Sequence, residues 1–216
     1  MHPIDCPEWE YNTFPNASNI LQIKTKEVLV KLRKGKLKAE SDGVDSRNVH
    51  HHIFNNLTPR KHKYFAGHYR GEDFKCLKCY EVQAAGDPTV GVPASLVFSN
   101  IIKFSSTITV GIQSLNEAQL LPEVRVSKID KILLTVVFSC RIFVEFLQIH
   151  PYANGNGHMA RFIIWTILGK FNLWPKSWPI DPRPPHPEYI KFITEYRKGN
   201  RTLLEDYILK CVLGMV

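Results

Sequence analysis

Apolar residues recur at the three-and-four spacing of a helix's buried stripe through most of this chain, and polar or proline-rich stretches separate the runs. The first run, 19–32, carries Ile20, Ile23, Val28, Leu29 and Leu32, with Ser18 as a cap and Gly35 as a stop, and predicts a helix. A second is predicted over 47–57, where Ile53, Phe54 and Leu57 share one side. Pro93 opens a third, through about residue 105. Residues 106–126, with the β-branched run Thr107-Ile108-Thr109-Val110, give no firm pattern. A long central helix is predicted over 127–149, another over 161–173 that is apolar almost all round and hence buried, and two last ones over 188–198 and 202–213. Between them, 174–187 holds six prolines and predicts a surface connection. Glu81 to Ala85 and Val90 to Val92 flank the turn-forming Gly86-Asp87-Pro88-Thr89, the spacing of a β-hairpin. The expectation is a mainly α protein with one small hairpin.

The totals fit that picture. A chain of 216 residues, 44% hydrophobic and 22% charged, can bury one substantial core and is not a disordered tail. Residues 1–12 are polar and hold two prolines, unlike a signal peptide. Arg141 and Glu145 interrupt the longest apolar run, which suits a buried helix better than a membrane span. Of the five cysteines, Cys140 and Cys211 fall in apolar helical patterns, and a cytoplasmic location is expected. Net charge is +8, but seven Lys and Arg lie within 24–38, so a solvated helix face accounts for much of it and nucleic acid is not the expected partner.

Two clusters hint at metal. His50, His51 and His52 are adjacent and point three ways on a helix, so they cannot converge on one ion. Cys76 and Cys79 form a single CxxC without a second pair at zinc-finger spacing, which favours turn thiols over a zinc site.

The chemistry concentrates in 150–161, His-Pro-Tyr-Ala-Asn-Gly-Asn-Gly-His-Met-Ala-Arg. Gly155-Asn156-Gly157 between two apolar runs predicts a tight loop whose N–H groups, with the following helix N-terminus, suit an anion. Arg161 adds positive charge, and His150, held by Pro151, is placed to take a proton from an attacking hydroxyl.

This stretch resembles the signature of the Fic family, His-Pro-Phe-x-(Asp/Glu)-Gly-Asn-Gly-Arg-x-x-Arg. Supporting features are Ala66-Gly67-His68-Tyr69-Arg70-Gly71, the hairpin, the Glu145-Phe146-Leu147-Gln148-Ile149-His150 lead-in and the tail ending in Gly199-Asn200. The resemblance implies a Fic-fold helical bundle over 47–216, preceded by an arm and helix over 1–46. It also implies a protein adenylyltransferase that moves AMP from ATP to a Ser, Thr or Tyr hydroxyl of a target protein. By the same resemblance His150 is the base; Gly155, Asn156, Gly157, His158 and Arg161 bind the phosphates; and Asn154 is a weak Mg²⁺ ligand. Val82, Gln83, Ala84, Val90, Gly91 and Val92 form the flap along which the target docks.

Three positions depart from the signature. Tyr152 replaces Phe and keeps a packing ring. Asn154 replaces the metal-binding carboxylate, losing its charge. His158 replaces the first Arg and cannot grip phosphate in two places. The alternatives are therefore a nucleotide-binding or protein-interaction module without turnover, or transfer of another phosphate-bearing group. The regulatory phrase Ser/Thr-x-x-x-Glu-Gly/Asn of many family members does not occur here, which leaves inhibition to a separate partner protein or makes it unnecessary.

Overall fold

The computed structural model describes residues 6–82 and 90–216. Among these the protein is all-α, with seven α-helices and no strand. They are α1 (Ala17–Arg33), α2 (Arg47–Phe54), α3 (Ala94–Leu120), α4 (Lys128–Ile149), α5 (Asn156–Lys170), α6 (Tyr189–Arg197) and α7 (Thr202–Leu213).

The centre is the antiparallel pair α4 and α5, joined by the 150–155 turn. Ser127 caps α4 by accepting the Asp130 N–H, and from Thr135 onward one face of the helix is buried continuously through Phe143 and Phe146 to Ile149. α5 is buried from His158 to Leu168, as its unbroken apolar sequence predicts. Each large apolar side chain sequestered there contributes about 1.5–3 kcal/mol. α3 crosses one flank of α4, with Gly111 against the ring of Phe138: a Cβ at Gly111 would lie 2.1 Å from that ring. α7 covers the other flank and packs on α6, while α1 lies on α2 and α5. The core also takes in Trp9, Leu21, Val28 and Leu32, so arm and first helix share one apolar cluster with the rest. By length and composition α3 and α4 could each cross a membrane, although 56% of the apolar window of α4 is buried within the protein.

Several expectations change. α3 runs unbroken through the β-branched patch, because Ile108, Ile112 and Leu115 fall on its buried stripe, and Thr107 and Thr109 bond back to the carbonyls of Lys103 and Ser105. α5 begins at Asn156, five residues earlier than expected, because Gly155 takes the left-handed conformation that starts it. The proline-rich connection is not purely superficial. Trp178 and Ile180 are buried, and their carbonyls are satisfied by the side chains of Trp165 and Arg161.

The hairpin expectation is corrected. Val82, Val90, Gly91 and Val92 form no strand, since the N–H groups of Gly91 and Val92 donate to the carbonyls of Gln148 and Ile149 at the end of α4. Gln83 and Ala84 lie outside the described residues. Cys76 is neither a free thiol nor a zinc ligand: it is disulfide-bonded to Cys6, and Cys79 is free and exposed.

Candidate active site

His150 ends α4. Its backbone turns into the left-handed region (φ 53°, ψ 58°) while its N–H still closes the last helical bond to Phe146. The ring Nδ1 lies 3.1 Å from the Leu147 carbonyl, and a carbonyl only accepts, so Nδ1 carries the proton and Nε2 keeps its lone pair. Burial lowers its pKa to about 4 against the Leu147 bond, which raises it, and the charges of Arg70 and Arg197 lower it further. At neutral pH the side chain is an uncharged base.

Arg70 fixes this turn. Its side chain is fully buried, with Nε donating to the His150 carbonyl at 2.8 Å, Nη1 to Tyr80 at 3.0 Å, and Nη2 to Val92 and Ile149 at 2.9 and 3.2 Å. Its own N–H donates to the Pro151 carbonyl. The carboxylate of Glu81 stands 3.6 Å away.

Inside the turn, Asn156 accepts the Tyr152 N–H and donates to the Tyr152 carbonyl, both at 2.9 Å, so its side chain braces the loop. Tyr152 is fully buried, and its hydroxyl lies 2.9 Å from that of Ser46. His50 stacks on this ring, with centroids 3.8 Å apart and planes 1° from parallel. The Gly67 N–H donates to His50 Nδ1, so His50 Nε2–H donates to the Asn154 carbonyl at 3.0 Å. Burial lowers the His50 pKa to about 3. The neutral ring thus ties α2 and the 66–70 phrase to the motif.

That neutrality has a measurable cost in acid. The unfolded chain protonates His50 below its ordinary pKa of about 6.5, whereas the folded protein resists protonation down to about 3. The stability from the neutral ring is therefore complete above pH 6.5 and is lost as pH falls through this window, at about 1.4 kcal/mol per pH unit. Urea unfolding of wild type and His50→Gln at pH 7 and pH 5 should show a smaller acid-induced loss in the variant.

Asn154 does not present its oxygen outward: Oδ1 accepts the Gly155 N–H at 2.7 Å, and Nδ2 donates to the Trp9 carbonyl at 2.8 Å. Oδ1 is uncharged and already accepts one hydrogen bond, which leaves it one lone pair for a cation and makes Asn154 a poorer Mg²⁺ ligand than a carboxylate; no group of three or more metal-ligating side chains occurs among the described residues. Gly155 needs its left-handed backbone (φ 79°), and a Cβ there would lie 2.6 Å from the ring of Phe54. Gly155→Ala is expected to cost about 1–3 kcal/mol, read as a lowered unfolding midpoint.

On the far side of the turn, the N–H groups of Asn156 and Gly157 are the first two of α5 and lack an intrahelical acceptor. His158 donates from Nε2 to the Asp181 carboxylate at 2.9 Å. Arg161, one turn further, is 5% exposed. Its Nε donates to the Ile180 carbonyl at 2.8 Å, and the Tyr189 hydroxyl also bonds it. No carboxylate is paired with it among the described residues. A Cβ at Gly157 would lie 3.1 Å from Arg161 Nη1, so this guanidinium lies against the helix start. The N-terminal arm covers the same side: Trp9 is buried with its indole N–H on the Leu57 carbonyl, and the Tyr11 ring meets the His158 ring edge-on at 5.4 Å.

The structure thus brings His150, Asn154, Gly155, Asn156, Gly157, His158 and Arg161 into one turn and the start of one helix. The sequence reading gave no role to His50, Trp9 or Asp181 and had Arg70 only as part of a phrase. Asp181 has no local signal at all, being 23 residues from its partner. No protein-family model matches this chain, and no curated protein matches it either. The Fic resemblance rests on the motif residues themselves.

Proposed function

We propose that this protein is a Fic-like nucleotidyltransferase that moves AMP from ATP to a hydroxyl side chain of a target protein, with its phosphate side closed by its own chain in the form described. The observation that carries this reading is Arg161, a buried guanidinium beside the first N–H groups of a helix, whose hydrogen-bond partners among the described residues are the Ile180 carbonyl and the Tyr189 hydroxyl. The Asp181 carboxylate bonds His158 rather than Arg161, so no carboxylate is paired directly with this buried cation among the described residues, and an anion at the start of α5 would offset the cost of burying it. On the other side of the same turn, uncharged His150 with a free Nε2 suits removal of the proton from an attacking hydroxyl. The oxygen attacks the α phosphorus, its bond to AMP forms as the bond to pyrophosphate breaks, and the proton passes to Nε2. Asn154, an uncharged oxygen with one lone pair remaining, is the weak Mg²⁺ ligand of this reading, and no step is assigned to a protein-held metal. The Fic-fold bundle and the target-docking segment around 82–92 belong to the same proposal.

The competing reading, a binding module without turnover, is favoured by one observation. The Asn154 amide, the Gly155 N–H and the His158 ring all bond within the chain, with Trp9 of the arm on Asn154 and Tyr11 against the His158 ring. The cytoplasmic location is likewise proposed, and the Cys6–Cys76 disulfide argues against it, since a reducing compartment keeps thiols open.

The test compares α-labelled with γ-labelled ATP incubated with a divalent cation and a host lysate, using wild type and a Tyr11→Ala variant that uncovers His158. Label from the α position alone supports nucleotidyl transfer. Label from both positions points to a larger phosphate-bearing group. If neither protein transfers label while Tyr11→Ala binds ATP in calorimetry, the module reading replaces the enzyme; if neither binds ATP, both nucleotide readings fall.

A further inference from the structure

The first three turns of α4 leave one face uncovered. Asp130, Leu134, Val137 and Arg141 follow one another at spacings of four, three and four, which places them in one line along a helix. All four are exposed, Leu134 by 46%, Val137 by 39% and the Arg141 side chain by 63%, and Arg141 also stands 4.0 Å from the Glu145 carboxylate one turn on, a contact at the limit of an ion pair. Leu133 and Ile129, also exposed, broaden the line on one side. Its order is charge, apolar, apolar, opposite charge.

That order is its own complement when the helix is reversed. A two-fold axis passing between residues 135 and 136 sets Asp130 opposite Arg141 of a second copy and Leu134 opposite Val137, and then repeats both pairings. The two charges stand 11 residues apart, about 16 Å along the axis, so they fall at the ends of the contact, where the rim of an interface is polar. The alternating four-and-three spacing is also that of antiparallel helices packed along a shallow crossing. A lipid surface is a poor cover for this face, because it would have to take in Asp130 and Arg141.

We infer that this face of α4 is the contact between two copies of the chain, which associate through antiparallel α4 helices in a symmetric dimer. Symmetry of this kind requires one patch to be self-complementary, and the mirrored order of the four residues meets that requirement. The contact spans about three turns of one helix, well short of the roughly 800 Å² per partner of a stable interface, so the dimer is weak and concentration-dependent. It is independent of the nucleotide reading.

Sedimentation velocity of the whole chain over a wide concentration range reads the association directly. Wild type should move from a species of 24.9 kDa toward one of twice that mass as concentration rises. Asp130→Arg and Arg141→Asp each place like charges at both ends and should weaken the dimer by about tenfold or more. The double variant restores opposite charges and should recover most of the affinity. Recovery also separates this effect from loss of the Ser127–Asp130 cap, which Arg141→Asp cannot repair. Leu134→Glu, an exposed change that leaves the helical signal intact, should abolish the dimer. A wild type monomeric throughout overturns the proposal, and so does a dimer indifferent to Leu134→Glu or not rescued by the double reversal.

Discussion

Arg70→Met should lower the folding stability by about 3–5 kcal/mol, the usual consequence of removing one member of a buried charged network. The reason is the number of acceptors left behind. Four carbonyls, those of Tyr80, Val92, Ile149 and His150, converge on one guanidinium whose side chain is fully buried. Methionine fills similar space and donates nothing, and each abandoned carbonyl costs about 1–3 kcal/mol unless water reaches it. For a chain of this length the loss corresponds to a fall of about 10 °C in Tm. Arg70→Lys should recover only a small part, because a single ammonium cannot span four acceptors arranged around a planar fork. Thermal unfolding by circular dichroism reads all three proteins. A variant within about 1 kcal/mol of wild type would mean that the turn is held elsewhere, chiefly by Asn156 and His50. The burial that makes Arg70 effective also lowers its pKa to about 10, so it remains charged throughout the neutral range.

How far the chain was readable from its sequence varies with how local the information is. α4 was legible to within a residue, since both its cap at Ser127 and its apolar stripe are written in consecutive residues. α5 was legible as a buried helix but not in its start. Gly155-Asn156-Gly157 reads equally as a loop or as the first turn, and the choice depends on the left-handed backbone of Gly155 and on Asn156 bonding back to Tyr152. The residues named for the candidate site lie together in one turn and one helix start, yet their hydrogen-bond partners were not legible. Whether the Asn154 amide faces a ligand or faces Gly155 and Trp9 depends on where an arm 145 residues earlier comes to lie. The His158–Asp181 pair and the Cys6–Cys76 disulfide are long-range in the same sense. The 81–92 stretch carried a hairpin's turn chemistry, but α4 ends with carbonyls that need donors, and the N–H groups of Gly91 and Val92 supply two of them.

The structure also separates the two halves of the motif by their degree of readiness. On the proposed phosphate side, the Asn154 amide and the His158 ring are bonded within the chain and the arm packs beside them, so on this reading a nucleotide enters only if Tyr11 and its neighbours move. On the proposed proton-transfer side the base is already prepared: the tautomer of His150 is set by Leu147, its backbone by Arg70 and Pro151, and its neutrality by burial. Catalysis, on the proposed reading, is limited by access for the nucleotide rather than by preparation of the base.

If that is so, His150→Ala should reduce transfer of label from α-labelled ATP by roughly 10²–10⁴-fold, the range contributed by a positioned general base. ATP affinity should change little, because the ring lies across the turn from Arg161. The pH profile of the wild-type rate distinguishes this role from a structural one. A base works in its neutral form, and burial holds the folded pKa of His150 near 4, so the rate limited by this group should be level through neutrality and fall only as pH drops through about 4. A solvated imidazole would place that fall near 6.5. Initial rates should be taken only where circular dichroism shows the protein still folded, because protonation of His50 in the unfolded chain erodes stability over the same interval. An acid limb centred near 6.5 in folded protein would show that the ring becomes solvated in the working state. A limb that persists unchanged in His150→Ala would remove His150 from proton transfer altogether and leave the turn as a binding element.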